Sequence, residues 1–441
     1  MAPISQSIRS IKAILHTFVL ICCIMLSISC KETVNEPKTA TQEPIPKKVT
    51  AQDILGNPDY LAISYGGYRM QSRDIQPSVA QLKEDMKLLH AMNIRILRTY
   101  NVQLPHASNV LKAIKELKEE DPSFEMYVML GAWIDCLNAW TEHTPNHDIE
   151  SPQNAGEIDR IVTLAQQYPD IVKIIAVGNE AMITWATAYY VQPDIILKWV
   201  NHLQELKSTG VLDKDLWVTS SDNFASWGGG DSQYQTPVLE ELIKAVDYLS
   251  VHTYPMHDTH YNPAFWGVFG KENELSQEQQ IDAAMLRTKN YAIAQRDSVA
   301  NYVKHLGLTK PIHIGETGWA SASNGFYGNN GSHATDEYKE ALYYKHMREW
   351  TNATGMSCFY FEAFDESWKD AQNQGGSENH FGLFTVDGKA KYALWDLVDQ
   401  GTFKNLTRGG NPITKTYDGN KEALLQDITT PPIKGKLTVS Q

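Results

Sequence analysis

Two glutamates carry the strongest chemical signal in this chain. Glu180 closes the run Ala176-Val177-Gly178-Asn179-Glu180, and Glu316 stands within Ile314-Gly315-Glu316-Thr317-Gly318-Trp319. Each follows a short apolar run, so each is expected at the end of a buried strand. Two carboxylates facing each other suit cleavage of a glycosidic bond. One delivers a proton to the leaving oxygen while the other faces the anomeric carbon, and a separation of about 5 Å gives retention of configuration. Asn179 adds an amide that can hold a sugar hydroxyl beside the acid.

Such a pair must be positioned by a rigid frame. Strand candidates lie at 60–66, 94–100, 126–133, 174–179, 216–221, 248–254, 311–316 and 358–363. Between them run helix candidates at 78–92, 109–117, 158–167, 193–206, 238–246, 277–306, 336–352 and 392–398. Val79, Leu82, Met86 and Leu89, for example, recur at helical spacing. Alternating strand and helix units of this number predict an α/β fold, a (β/α)8 barrel with a helical jacket. An open doubly wound sheet is the alternative. Its usual Gly-rich phosphate turn is missing from Ser64-Tyr65-Gly66-Gly67-Tyr68.

In a barrel of this kind the functional groups sit where strands end. The predicted ends present Tyr65, Arg98 and Tyr100, Trp133 and Asp135, Asn179 and Glu180, Asp222 and Asn223, His252 and Tyr254, Glu316 and Trp319. The eighth strand is followed by Glu362, Asp365, Glu366 and Trp368. Acids therefore end strands four and seven, on opposite sides of the barrel mouth. Seven of the 11 Trp (Trp133, Trp140, Trp185, Trp227, Trp266, Trp319, Trp368) fall at strand ends or in loops. Aromatic faces stack on the CH-rich faces of sugar rings, so the set points to carbohydrate.

Three stretches together resemble the signatures of glycoside hydrolase family 17. They are Ala176 to Glu180, Ile314 to Trp319, and Tyr360-Phe361-Glu362-Ala363-Phe364-Asp365-Glu366-Ser367-Trp368-Lys369, in that order along roughly residues 60–400. The resemblance implies a retaining β-1,3-glucan hydrolase or glucanosyltransferase, with Glu180 as acid/base and Glu316 as nucleophile. It places Asn179, Tyr65 and Tyr254 near the reactive sugar. Glu362, Glu366 and Lys369 would support the nucleophile side or bind hydroxyls, and Arg98, Trp133, Trp319 and Trp368 complete the expected substrate-binding set. Ser367 stands where the transferase-like motif usually has Pro, which leaves hydrolysis and glycosyl transfer both open. A binding-only glycan lipoprotein is a third reading, but it would be expected to have lost one of the two acids.

The rest of the composition is compatible. The 441 residues are 42% hydrophobic and 21% charged, with 39 Lys plus Arg against 52 Asp plus Glu, a net charge of −13. An acidic surface repels phosphate backbones and excludes a nucleic-acid partner; a neutral β-glucan meets no such barrier. Arg9 and Lys12 precede an apolar run too short for a membrane span, which needs about 20 residues. The run ends Leu26-Ser27-Ile28-Ser29-Cys30, like the lipobox of bacterial lipoproteins. Residues 1–29 are thus expected to be a signal peptide and Cys30 the lipidated residue. Residues 30–50, with Pro37, Pro44 and Pro46, read as a tether, residues 51–400 as the catalytic barrel, and residues 401–441 as an extension of undefined role. A monomer held by lipid at the outer membrane or cell surface follows. Only Cys136 and Cys358 lie in the body of the chain, at opposite ends of the predicted barrel and too far apart to pair. His252, His257 and His260 lack metal-ligand spacing, and no metal or cofactor is expected.

Overall fold

The computed structural model describes residues 48–434; the leader, Cys30 and most of the tether lie outside the described residues. Eight parallel strands close into a barrel: β1 Leu61–Ser64, β2 Ile94–Arg98, β3 Tyr127–Ala132, β4 Val172–Asn179, β5 Trp217–Asn223, β6 Leu249–His252, β7 Ile312–Gly318 and β8 Cys358–Phe361. Each pairs with its neighbours in chain order, and β8 closes on β1 through Ile63 opposite Tyr360. Strands buried on both faces read as continuous apolar runs, and β3, Tyr-Val-Met-Leu-Gly-Ala, is buried throughout.

Two apolar clusters hold the barrel. The smaller gathers Ile96, Met129, Ile174, Ala176, Tyr248 and Phe359, together with Ala51, Ile54 and Leu55 from the short helix Ala51–Ile54 and its C-cap. The larger joins the other strand residues, such as Leu97, Leu130 and Val177, to the helices. Helix α1 Val79–Ala91 starts at a reciprocal Ser78–Gln81 cap and buries Leu82, Met86 and Leu89, satisfying amide donors that a helix start leaves open. Helices α2 Pro105–Glu120, α3 Asn154–Gln167, α4 Pro193–Ser208, α5 Pro237–Ala245, α6 Gln277–His305 and α7 Glu337–Ala353 complete the jacket. The predicted helix at 392–398 is a 3₁₀ turn, Tyr392–Leu394, running into α8 Trp395–Asp399. Strand β5 extends two residues beyond the sequence expectation, because Asp222 and Asn223 still pair with β6.

Residues 401–434 pack as part of the same compact unit, which begins at Val49. Its Arg408 is buried, and its Nε donates to Asp85 Oδ1 of α1 at 3.0 Å. Ile433–Lys434 pairs in parallel with Val268–Phe269. Cys136 and Cys358 are buried free thiols.

Breaking a buried ion pair from one side leaves the other charge uncompensated. Arg408→Met should therefore cost about 3 kcal/mol of unfolding free energy, seen as a lower urea midpoint at unchanged slope. A midpoint shift within error would show that Arg69, which also donates to Asp85 at 2.9 Å, suffices alone.

Candidate active site

Strand β7 is buried along its whole length and carries Glu316 to the barrel mouth. Its Gly315 lies against two serines. A β-carbon there would collide with Ser250 Oγ and approach Ser221 Oγ to 2.7 Å, so only glycine lets the strand run this close. Glu316 is 7% exposed. The Arg98 guanidinium forms an ion pair with its Oε2. Tyr100 donates to the same oxygen at 2.8 Å, and Tyr254 donates to Oε1 at 2.6 Å. Burial by itself would push this carboxyl up. The Arg98 charge, followed by His252 and the two phenols, outweighs it and holds the group at about 2, so Glu316 is ionised at every working pH.

Glu180 has a different setting. Gly178 (φ 83°) and Glu180 (φ 46°) both lie in the left-handed region, which turns the chain out of β4. The Glu180 amide donates to Ser221 O at 3.0 Å. Asp222 holds the following residues by accepting from Met182 N at 2.8 Å, and from Ser226 Oγ at 2.6 Å. Burial raises Asp222 to about 6 against those two donors. The Glu180 side chain is 17% exposed, and its Oε1 lies 3.1 Å from His252 Nδ1. His252 Nε2 in turn contacts Ser221 Oγ at 2.7 Å, which meets Ser250 Oγ at 2.8 Å. One carboxylate is thus sealed among donors. The other is partly open and has one imidazole partner, and such unequal surroundings suit two carboxylates to different roles.

A second group lies beside the pair. Lys369 Nζ contacts Glu362 Oε1 at 2.9 Å and Glu366 Oε2 at 3.8 Å. Trp368 Nε1 donates to Glu366 Oε2 at 3.0 Å, and Tyr68 N donates to Oε1 at the same distance. Burial raises both carboxyls despite the lysine. Glu362, Glu366, Trp368, Lys369, Tyr65 and Trp133 all line one cavity of about 520 Å³. A second cavity, about 890 Å³, is lined by Trp185, Asn223, Tyr254 and Tyr261 among others. Tyr100 lines the first cavity and Tyr254 the second. Because both phenols donate to Glu316, that carboxylate lies between the two spaces.

Two expected substrate contacts are corrected. Trp319 is fully buried, lies tilted against Trp266 and Tyr343, and donates from Nε1 to Ala334 O at 2.8 Å. It lines neither cavity, because the register of β7 that aims Glu316 inward sends Trp319 into the wall. Arg98 is spent on protein groups: Glu316, Gly315 O at 2.9 Å and Asn179 Oδ1 at 2.6 Å. Asn179 therefore presents its amide through this network, and the Tyr65 hydroxyl is held by Asp85 at 3.1 Å. The expected set omitted Tyr100 and His252, although each stands two residues from a residue it contains, on the same strand face. It also omitted Tyr68, His106 and Trp140, which line the first cavity. His257 stacks on Tyr254 and His260 on Phe326, so the three histidines do not converge. Among the described residues no cluster of three or more His, Cys, Asp or Glu could hold a metal ion.

Comparison with known proteins gives consistent relatives. Residues 62–382 match the BtgE/BtgC glycoside hydrolase domain. A glucan 1,3-beta-glucosidase of Arthroderma benhamiae is 26% identical over 71% of this chain and 83% of its own length. The acidic isoform GI9 glucan endo-1,3-beta-glucosidase of Nicotiana tabacum is 24% identical over 70% of this chain and 85% of its own. Among solved structures, an endo-laminarinase from Formosa Hel1_33_131 is 72% identical, superposes with a TM-score of 0.88, and covers 89% of this chain and 100% of its own.

The lowered Glu316 has a direct readout. Its ionised form is favoured in the folded protein, so its contribution to stability is complete above its ordinary value and is lost as the pH falls through about 2. Arg98→Met should move the Glu316 midpoint upward by about 1 to 3 pH units in a carboxyl-carbon NMR titration. An unmoved midpoint would show that the phenols alone set it.

Proposed function

The chain belongs to the family-17 type of glycoside hydrolase represented by the BtgE/BtgC domain, and on that footing we propose that it hydrolyses β-1,3-glucan internally, with retention of configuration. The observation that carries the reading is the contrast between the two acids: Glu316 is buried under three donors, and Glu180 is partly open with one imidazole.

In the first step the Glu316 carboxylate attacks the anomeric carbon as the bond from that carbon to the leaving oxygen breaks. Glu180 gives its proton to that oxygen. The result is a glycosyl ester on Glu316 and a shortened glucan with a free hydroxyl. In the second step Glu180, now ionised, takes a proton from water. The water oxygen bonds to the anomeric carbon, and Glu316 leaves as carboxylate. Arg98, Tyr100 and Tyr254 stabilise that carboxylate as nucleophile and as leaving group without reorganising. His252 holds Oε1 of Glu180, which leaves Oε2 for the substrate.

The leaving sugar sits beside the acid. The loop that follows Glu180 supplies Ile183, Thr184 and Trp185 to the larger cavity, so that cavity takes the leaving side. The smaller one, with Glu362, Glu366 and Lys369, takes the glycone. Space on both sides of the acids supports cutting within a chain rather than only at an end. Cys30 is proposed as a lipid-bearing residue that holds a monomeric enzyme at the outer membrane or cell surface, and loss of metabolic palmitate labelling in Cys30→Ser tests this.

Glu316→Gln should lower kcat on linear β-1,3-glucan on the order of 10⁴-fold, and Glu180→Gln by about 10²- to 10⁴-fold, both with the fold retained by far-UV circular dichroism. Glu316→Gln, which leaves buried Arg98 without its carboxylate, should also lower the unfolding midpoint. Azide separates the roles. With Glu180→Ala it should yield a β-glycosyl azide, and with Glu316→Ala the α-anomer. The reverse pattern would exchange the assignments. Products longer than the donor would make the enzyme a glucanosyltransferase.

A further inference from the structure

The mouth of the glycone cavity holds an aromatic group that the catalytic steps do not use. Trp140 lies in the loop between Cys136–Leu137 and Asn146–Glu150, which pair as a small antiparallel ribbon. It is 62% exposed, lines the cavity, and has φ 60°. A bulky residue in the left-handed region is unusual and persists only where its surroundings hold it.

Several groups hold it here. The Trp140 ring lies nearly flat on Tyr189, with centroids 5.0 Å apart and planes 20° off parallel. Trp133 sits against the same tyrosine at 5.4 Å. Asp135 Oδ1 accepts from both indoles, from Trp133 Nε1 at 2.7 Å and Trp140 Nε1 at 3.3 Å. The backbone of Asp135 is clamped in turn by the buried Asn154, whose Oδ1 accepts from Asp135 N at 3.1 Å and whose Nδ2 donates to Asp135 O at 2.9 Å. The Tyr189 carbonyl accepts from Cys136 N at 3.2 Å. One indole face is covered and the other is open. The ring is fixed before anything binds, so stacking on it costs little side-chain ordering.

We propose that Trp140 is a distal sugar platform of the glycone side, stacking the CH face of a glucosyl ring beyond the one that reacts. Asp135 is its positioning residue. The proposal rests on the glucanase reading, which assigns this cavity to the glycone. It makes the enzyme sense chain length: long glucans reach the platform, and the shortest cleavable oligosaccharides do not.

Two measurements test it. The first is kcat/KM over β-1,3-linked gluco-oligosaccharides of increasing length. Trp140→Ala should lose about five- to tenfold on long chains, through KM and not kcat, and nothing on the shortest cleaved substrate. Trp140→Phe should keep most of the gain, and Asp135→Asn should fall between. Equal loss at every length, or no loss at any, would overturn the platform. The second measurement is calorimetric binding of laminarihexaose to Glu316→Gln with and without Trp140→Ala. Unequal affinities support the platform and equal ones overturn it. Absence of turnover by the wild type, with binding still weakened by Trp140→Ala, would overturn the hydrolase reading and leave the platform standing.

Discussion

The site depends on one guanidinium. Arg98 ends strand β2 and lies buried across the barrel mouth, with one nitrogen on Glu316 and the other on Asn179. Strands β7 and β4 are not neighbours in the sheet, so this contact sets the position of one side of the site relative to the other. A planar fork with fixed donor directions suits this task, and an ammonium on a flexible stem does not. The same charge opposes the desolvation of Glu316 and holds its carboxyl below the usual carboxylate range. Removing Arg98 would thus disturb geometry and electrostatics together.

The surrounding packing serves that contact. Gly315 brings β7 down onto Ser221 and Ser250, and the same two hydroxyls extend the line from His252 to Glu180. One small residue therefore couples the seating of the Glu316 strand to the support of Glu180. On the far side, Tyr65 is fixed through Asp85, which also receives Arg408 from the stretch beyond residue 400. Lys391 reaches Asp365 at 2.8 Å and Ser321 Oγ at 2.8 Å, tying the loop after β8 to the loop after β7. The wall of the smaller cavity is thus braced from behind by residues remote in sequence, and its front carries aromatic side chains.

On the proposed mechanism, the unequal surroundings of the two glutamates let one barrel perform two steps. Glu316, the proposed nucleophile, needs a constant charge, and fixed donors hold it ionised. Glu180, in the proposed role of acid, has partial access to solvent and a single imidazole partner. Burial acts against the charge of Glu316, and the permanent cation of Arg98 opposes it.

Much of this was legible in the residues. Eight apolar runs separated by amphipathic segments specify strand and helix locally, through side-chain period and caps, and their number implies a closed barrel. Glu180 and Glu316 stood out because each ends a buried run. Contacts made across the barrel were not legible. Nothing near Arg98 in the chain says that it would spend its donors on Glu316 and Asn179, or that Trp319, three residues past Glu316, would turn into the wall. His252 was legible as an end residue of the sixth strand and as one of three histidines without metal spacing, but not as the partner of Glu180 until β6 placed it there. Local order follows from neighbours a few residues apart, and the sequence by itself determined it. Which charge meets which carboxylate, and which aromatic keeps an open face, depends on strand register and closure. Those relations join residues tens to hundreds of positions apart, and only the tertiary structure decided them.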